Sequence, residues 1–237
     1  MKNYLEIIKE KLNSGGKFWI GFVGDSITST EWVHPNWREI VEYVLKDKFD
    51  YDWGIKTFNL AYDGATSRDL VKIINNYELL ITNEKIRMDM VILMTGANDP
   101  FHGEITPGEL KENIIEIKKL VEMSGVDFVL SSDNCPMNQW AEEKCVPYVE
   151  ALNSMEGNSV KLFEESKNFP IERIYTFKSE QDIPEERVKK GEVDFWHPNQ
   201  LGNAYIAKVI LDKVFGIGFD PEKFMKETWA GEKIPRY

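Results

Sequence analysis

Apolar side chains are distributed along this chain in two rhythms. The short, nearly unbroken run FWIGFV at 18–23 reads as a strand buried on both faces, MDMVILMTG at 88–96 as a buried strand and VDFVLSSD at 126–133 as another strand, and KTFNLAY at 56–62 is strand-like. Between them the apolar positions recur at helical spacing. WREIVEYVLKDKF (37–49) is one such segment, and SRDLVKIINNYELLI (67–81) opens with a capping-type Ser67. TPGELKENIIEIKKLVEMSG (106–125) carries Pro107 in its first turn and Gly125 at its end. The opening MKNYLEIIKEKLNS also has helical spacing at Leu5, Ile8 and Leu12. Strands alternating with helices across short loops predict a parallel sheet with helices on both faces and right-handed crossovers.

From about Cys135 to Gly191 the rhythm fades, because Pro136, Pro147, Pro170 and Pro184 interrupt it and NSMEGNS (153–159) reads as a loop. Short helices over 147–154 and 159–167 and a strand near ERIYTF (172–177) are the expectations there. The pattern returns in NQLGNAYIAKVILDKVFG (199–216), a helix whose Ala204, Ile206, Ala207, Ile210, Leu211 and Val214 form a broad apolar face. No repeat, low-complexity segment or charged linker divides the chain. Residues 1–237 therefore read as one domain, with 218–237, including Phe224 and Trp229, as a packed C-terminal tail.

Composition narrows the classes. At 237 residues, 42% hydrophobic and 29% charged, the chain can bury a substantial core. A net charge of -11 without a basic stripe argues against nucleic-acid and anionic-membrane partners. No segment resembles a signal peptide or a membrane span, which predicts a cytoplasmic location. The two cysteines, Cys135 and Cys145, fit no Cys-x-x-Cys pattern and read as reduced, structural thiols, with a single bridge between them as the alternative. No His-Glu-x-x-His, Gly-x-x-x-x-Gly-Lys or Gly-x-Gly-x-x-Gly is present, so neither a metal nor an organic cofactor is expected.

Ser26 lies just past the first strand, at the carboxyl edge where open α/β sheets bind ligands. Taken alone, the stretch favours a plainer role for Asp25, Ser26 and Thr28, as caps of a following helix. A serine nucleophile needs a base, and the chain has three histidines, His34, His102 and His197. Only His197 has a carboxylate three residues earlier, Asp194, on the turn into the last helix, where it can orient the imidazole. Asn98 after the third strand and Gly64 after the second emerge at the same edge, with a side-chain amide and an unobstructed N–H that could face an oxyanion. The alternatives are that Gly64 serves a tight turn and Asn98 braces its loop.

In this order, GDSIT, DGAT, GAND and DFWHP resemble the four blocks of the SGNH hydrolases, also called GDSL-type esterases and lipases. The resemblance spans roughly residues 17–212. It implies a flavodoxin-like three-layer α/β/α sandwich around a central, mostly parallel five-stranded sheet, and a serine hydrolase needing no cofactor. It further implies a triad of Ser26, His197 and Asp194, with an oxyanion hole made by the Ser26 and Gly64 N–H groups and Asn98. Isoleucine replaces the name-giving leucine of the first block. Tyr62 and Asp63 precede Gly64 where small residues are common, which brings a negative charge near the oxyanion.

For substrate, Trp32, Trp37, Trp140 and Trp196 lie in or beside loops expected to rim the site and could stack on a sugar ring, though core packing is the alternative for each. Asp25, Trp32 and Trp196 are the candidate substrate contacts. The expectation is a short acyl group such as acetyl on a carbohydrate or similar polyol, the partner being a small-molecule or oligosaccharide ester. A thioester or lysolipid substrate, acyl transfer to another alcohol, and a non-catalytic flavodoxin-like protein that cradles an anion at GDSITST are the competing readings.

Overall fold

The computed structural model describes residues 2–29, 33–50, 53–76, 87–102, 104–176, 191 and 193–226. In chain order the elements are α1 (Tyr4–Asn13), β1 (Phe18–Val23), α2 (Trp37–Lys48), β2 (Ile55–Asn59), α3 (Ser67–Asn76), β3 (Met90–Thr95) and α4 (Pro107–Met123). There follow β4 (Asp127–Ser132), α5 (Gln139–Asn153), β5 (Ser159–Val160), α6 (Leu162–Ser166), α7 (Ile171–Ile174), α8 (Gln200–Ile210) and α9 (Pro221–Phe224). A π-helical turn, Leu211–Phe215, continues α8 to Gly216.

The five strands form one sheet in the order β2-β1-β3-β4-β5, every pairing parallel. Strand alternation divides the core in two. Phe18, Ile20, Phe22, Met90, Ile92, Met94 and Val129 face α1, α2 and α8. Val23, Val91, Leu93, Phe128 and Leu130 face α3, α4 and Leu152 of α5. All six residues of β3 are buried, as its unbroken apolar run requires of a central strand covered on both sides. This is the α/β/α sandwich expected from the sequence.

Helix starts follow local chemistry. Asn36 and Glu39 form a reciprocal capping box on α2, and Thr106 accepts the Glu109 N–H at 3.2 Å ahead of Pro107. The larger surprises lie in the Pro-rich stretch. A helix was expected over 147–154, but α5 starts eight residues earlier, capped by Asn138. Its Ala141, Cys145, Val149 and Leu152 share one buried face, and Pro147 sits exposed on the opposite side. The apolar face holds the helix, and the lost hydrogen bond falls on the solvent side.

The fifth strand is Ser159–Val160, inside the segment expected as a helix, and only Leu162–Ser166 of that segment is helical. The stretch expected as a strand near ERIYTF instead forms α7 and one antiparallel bridge, Thr176 to Val193, with Phe177 outside the described residues. The helix expected over 67–81 is described to Asn76, and 77–81 lie outside.

Cys135 and Cys145 are buried free thiols, each pushed up to about 12, chiefly by burial. In the tail, Phe224 packs edge-on against Tyr43 at 5.7 Å and meets Phe219 at 5.1 Å, while Trp229 lies outside the described residues. Among the described residues no helix is long and apolar enough to cross a membrane.

Candidate active site

β1 ends against its neighbour so closely that Gly24 has no room for a side chain. A Cβ there would lie 2.7 Å from the Met94 carbonyl oxygen and 2.5 Å from Thr28 Oγ1. The chain then folds around Asp25. Its carbonyl accepts the N–H groups of Thr28 and Ser29 at 3.0 and 2.9 Å, and its carboxylate accepts that of Ile27 at 2.9 Å. Ser26 is left projecting from a tight turn at the carboxyl edge of the sheet. The capping alternative for this stretch does not hold for α2, whose cap is Asn36.

The turn carrying Asp194 and His197 is fixed from behind by the start of α8. Asn199 accepts the Gly202 N–H at 3.1 Å and donates its amide to the carbonyls of Arg173 and Thr176 at 2.7 and 2.8 Å. Asn203 accepts the Trp37 N–H at 3.0 Å, tying α8 to α2. In front of that anchor, Asp194 Oδ1 accepts the N–H groups of Trp196 and His197 at 2.8 and 3.0 Å.

Asp194 Oδ2 lies 2.8 Å from His197 Nδ1, and His197 Nε2 lies 2.9 Å from Ser26 Oγ. With Nδ1 donating to Asp194, Nε2 is left to accept the serine proton. Burial by itself would raise the Asp194 carboxyl, but the hydrogen bond and charge of His197 and the two N–H groups together hold it below the ordinary carboxylate range. Such a chain can pull a proton from Ser26 and keep the resulting imidazolium paired.

Gly64 adopts a left-handed conformation, φ 71°, with open space where a Cβ would stand. Among the described residues the N–H groups of Gly64 and Ser26 donate to no protein group, leaving two donors at the pocket. Asn98 is placed beside them, but its amide already donates to Asp25 Oδ2 at 3.2 Å and to the Ala65 carbonyl at 3.1 Å. To serve an oxyanion it must share or release one of these long bonds.

A pocket of about 200 Å³ joins these groups, lined by Ser26, Ile27, Asp63, Gly64, Ala97, Asn98, His102, Asn134, Trp196 and His197. Asp63, flagged as a departure in the second block, accepts a short hydrogen bond from Ser29 Oγ. Trp196 lines the pocket and packs edge-on against Phe101 at 5.1 Å, and Phe101 meets the ring of Trp140, itself 59% exposed, at 5.5 Å. Lys144 Nζ sits 4.7 Å from the Trp140 ring centre.

Not every expected site residue belongs here. Asp25, a candidate substrate contact, is fully buried beneath the Ser26 turn and cannot touch substrate. Trp37 is a core residue, edge-on to Phe22 at 5.3 Å, and Trp32 lies outside the described residues. His34 is exposed and 3.1 Å from Glu39, away from the pocket lining. His102, weighed as a base and set aside for want of a nearby carboxylate, lines the pocket wall, and sequence reasoning passed over Asn134 beside it and Asp133 behind it. All three follow β3 or β4 at the carboxyl edge, and that position was the available signal.

The sequence pattern of the family described as GDSL-like lipase/acylhydrolase matches residues 20–210. The chain belongs to this family. It is an ester hydrolase by that membership, and its solved structural neighbours share the fold. A lipase/acylhydrolase from Enterococcus faecalis superposes with a TM-score of 0.60 at 17% identity, covering 84% of this chain and 96% of that one. An acetylxylan esterase from Geobacillus stearothermophilus gives 0.58 at 18% identity, covering 87% and 97%. A GDSL-family lipolytic protein from Veillonella parvula gives 0.59 at 17%, covering 84% and 98%. No curated protein sequence matches this GDSL-type hydrolase.

Proposed function

We propose that this GDSL-type hydrolase is a serine esterase that cleaves short-chain acyl esters, acetyl foremost, from a carbohydrate or similar polyol through an acyl-enzyme on Ser26. The observation that carries the catalytic reading is the continuous hydrogen-bonded chain from Ser26 Oγ through His197 to Asp194. Ser26 attacks the ester carbonyl as His197 Nε2 takes its proton, while Asp194 holds the imidazolium in place. The N–H groups of Ser26 and Gly64, joined by the Asn98 amide, receive the oxyanion. His197 returns the proton to the leaving alcohol, and water repeats the sequence to free the acid and restore Ser26.

The substrate reading rests on pocket size and walls. About 200 Å³ beside the serine suits an acetyl or similarly small acyl group better than a fatty chain. The aromatic run from half-buried Trp196 and Phe101 to exposed Trp140 offers faces on which a sugar ring can stack. One structural neighbour is an acetylxylan esterase, which agrees with this choice. The anion-cradle reading has no support from a turn built on the carboxylates of Asp25 and Asp63.

The test compares wild type with Ser26→Ala on p-nitrophenyl acetate, p-nitrophenyl octanoate and acetylated xylo-oligosaccharides, with folding checked by circular dichroism. The expected outcome is a loss of at least about a thousandfold in the variant and a clear preference of wild type for acetyl over octanoyl. Equal rates in the two proteins would refute the serine reading, and an octanoyl preference would refute the short-acyl reading.

A further inference from the structure

Beneath the pocket lie two carboxyl groups that a polar surface would not need. Asp25 is 0% and Asp133 3% exposed, and their carboxyls meet side chain to side chain. Asp25 spends both oxygens on donors, Oδ1 on the Ile27 N–H and Oδ2 on the Asn98 amide. Asp133 spends only Oδ2, which accepts the Ala97 N–H at 2.7 Å. Its Oδ1 is buried and has no donor among the described residues. A buried carboxylate oxygen without a donor is costly, whereas a protonated one facing a carboxylate is a donor with an acceptor in front of it.

We propose that Asp133 is a positioning residue for ester hydrolysis: in its protonated form it donates through Oδ1 to the Asp25 carboxylate, and the pair locks the Ser26 turn to the Asn98 loop beneath the oxyanion site. The inference rests on the reading of Ser26, Gly64 and Asn98 given above. Through Asp25 the pair holds the Ile27 N–H and the Asn98 amide, and through Asp133 it holds the Ala97 N–H. The Asn98 amide already ties its loop to the Ser26 turn through Asp25, and the shared hydrogen adds a second tie through Asp133 and the Ala97 N–H. Losing it leaves two buried carboxylates side by side, repelling each other and adding negative charge where negative charge must develop in the reaction.

The surroundings favour keeping the proton. Burial is the first cause raising both acids, Asp25 to about 6 and Asp133 well above the ordinary value. Asp63 also raises Asp25, while the Ile27 N–H and His197 pull it down. Asp133 faces Asp25 and Asp99, both raising it, against the single N–H of Ala97; Cys145 on α5 faces it as a buried neutral thiol. Among the described neighbours His197 lowers Asp25 by its charge, whereas the charges facing Asp133, those of Asp25 and Asp99, both raise it, so the proton stays on Asp133 and the pair carries one negative charge rather than two at neutral pH.

Asp133→Asn tests this directly, because the amide keeps an acceptor for Ala97 and presents a permanent donor to Asp25. Asp133→Ala removes both. Steady-state kinetics with p-nitrophenyl acetate from mildly acid to alkaline pH should show wild-type kcat falling on the alkaline side with KM little changed. Asp133→Asn should flatten that fall while staying within about tenfold of wild type at neutral pH, and Asp133→Ala should lose more than about tenfold throughout. Superimposable alkaline limbs in wild type and Asp133→Asn, or a folded Asp133→Asn as impaired as Asp133→Ala, would overturn the proposal.

Infrared difference spectroscopy gives a second readout that needs no turnover. Wild type should show a protonated-carboxyl carbonyl stretch at neutral pH that Asp133→Asn lacks, and its absence from wild type would overturn the proposal as well. If Ser26→Ala kept its activity, the serine reading would fail, while a band lost in Asp133→Asn would still support the shared proton.

Discussion

At the scale of single residues the site divides by how local its signals are. Asp194 and His197 lie three residues apart on one turn, and Ser26 ends an apolar run, so residue type and position were enough to nominate them. Asp133 ends an apolar run in the same way, but an acid at the end of β4 also reads as an ordinary turn residue. Its partner Asp25 lies on β1's far loop, and only the folded sheet brings the two together. Gly64 makes a prediction of its own. A Cβ there would meet nothing within 4 Å, yet φ is 71°, so Gly64→Ala should cost backbone strain and not steric conflict. We expect roughly 1 kcal/mol of lost stability by urea denaturation. The same change should lower kcat/KM more than the stability loss accounts for, because the N–H facing the pocket shifts with the backbone. Unchanged kcat/KM would remove Gly64 from the oxyanion reading.

At the scale of elements, legibility followed length and continuity. β1, β3 and β4 are six-residue strands, the first two almost wholly apolar and β4 centred on Phe128-Val129-Leu130, and were visible at nearly their observed limits. β5 has two residues, too few for any period to register, and its strand character comes from lying beside β4, where Leu130 pairs with Ser159 and Ser131 with Val160. α5 was half hidden by Pro147, which sequence reasoning weighs as a breaker. Here the apolar face outweighs it. Pro147 removes the bond to the Glu143 carbonyl, on the exposed side where water replaces it, so the cost falls below the ~3 kcal/mol of an interior helix proline. Pro147→Ala restores the bond but frees the unfolded chain, an opposing term of roughly 0.4–1 kcal/mol. The net expectation is a gain of about 1 kcal/mol in chemical denaturation with unchanged kcat. A loss of stability would mean that Pro147 shapes the helix productively.

At the scale of the whole molecule, the acids pull stability in opposite directions as pH changes. Asp194 is held below its ordinary value, so its contribution is present above the unfolded value of about 3.9 and is lost as pH falls through the lower folded one. Asp25 and Asp133 are raised, which reverses the sign. Below about pH 3.9 these two are protonated whether folded or not and cost nothing. As pH rises past that value the unfolded chain releases their protons while the folded protein retains them, and stability falls until the folded values are passed. With a net charge of -11 the surface adds self-repulsion over the same range. Asp133→Asn separates the two effects, since it removes the Asp133 titration and changes the ionised surface little. Thermal melts at mildly acid and mildly alkaline pH should find the variant gaining on wild type as pH rises. A stability difference that stays constant across the range would mean that Asp133 binds no extra proton in the folded protein.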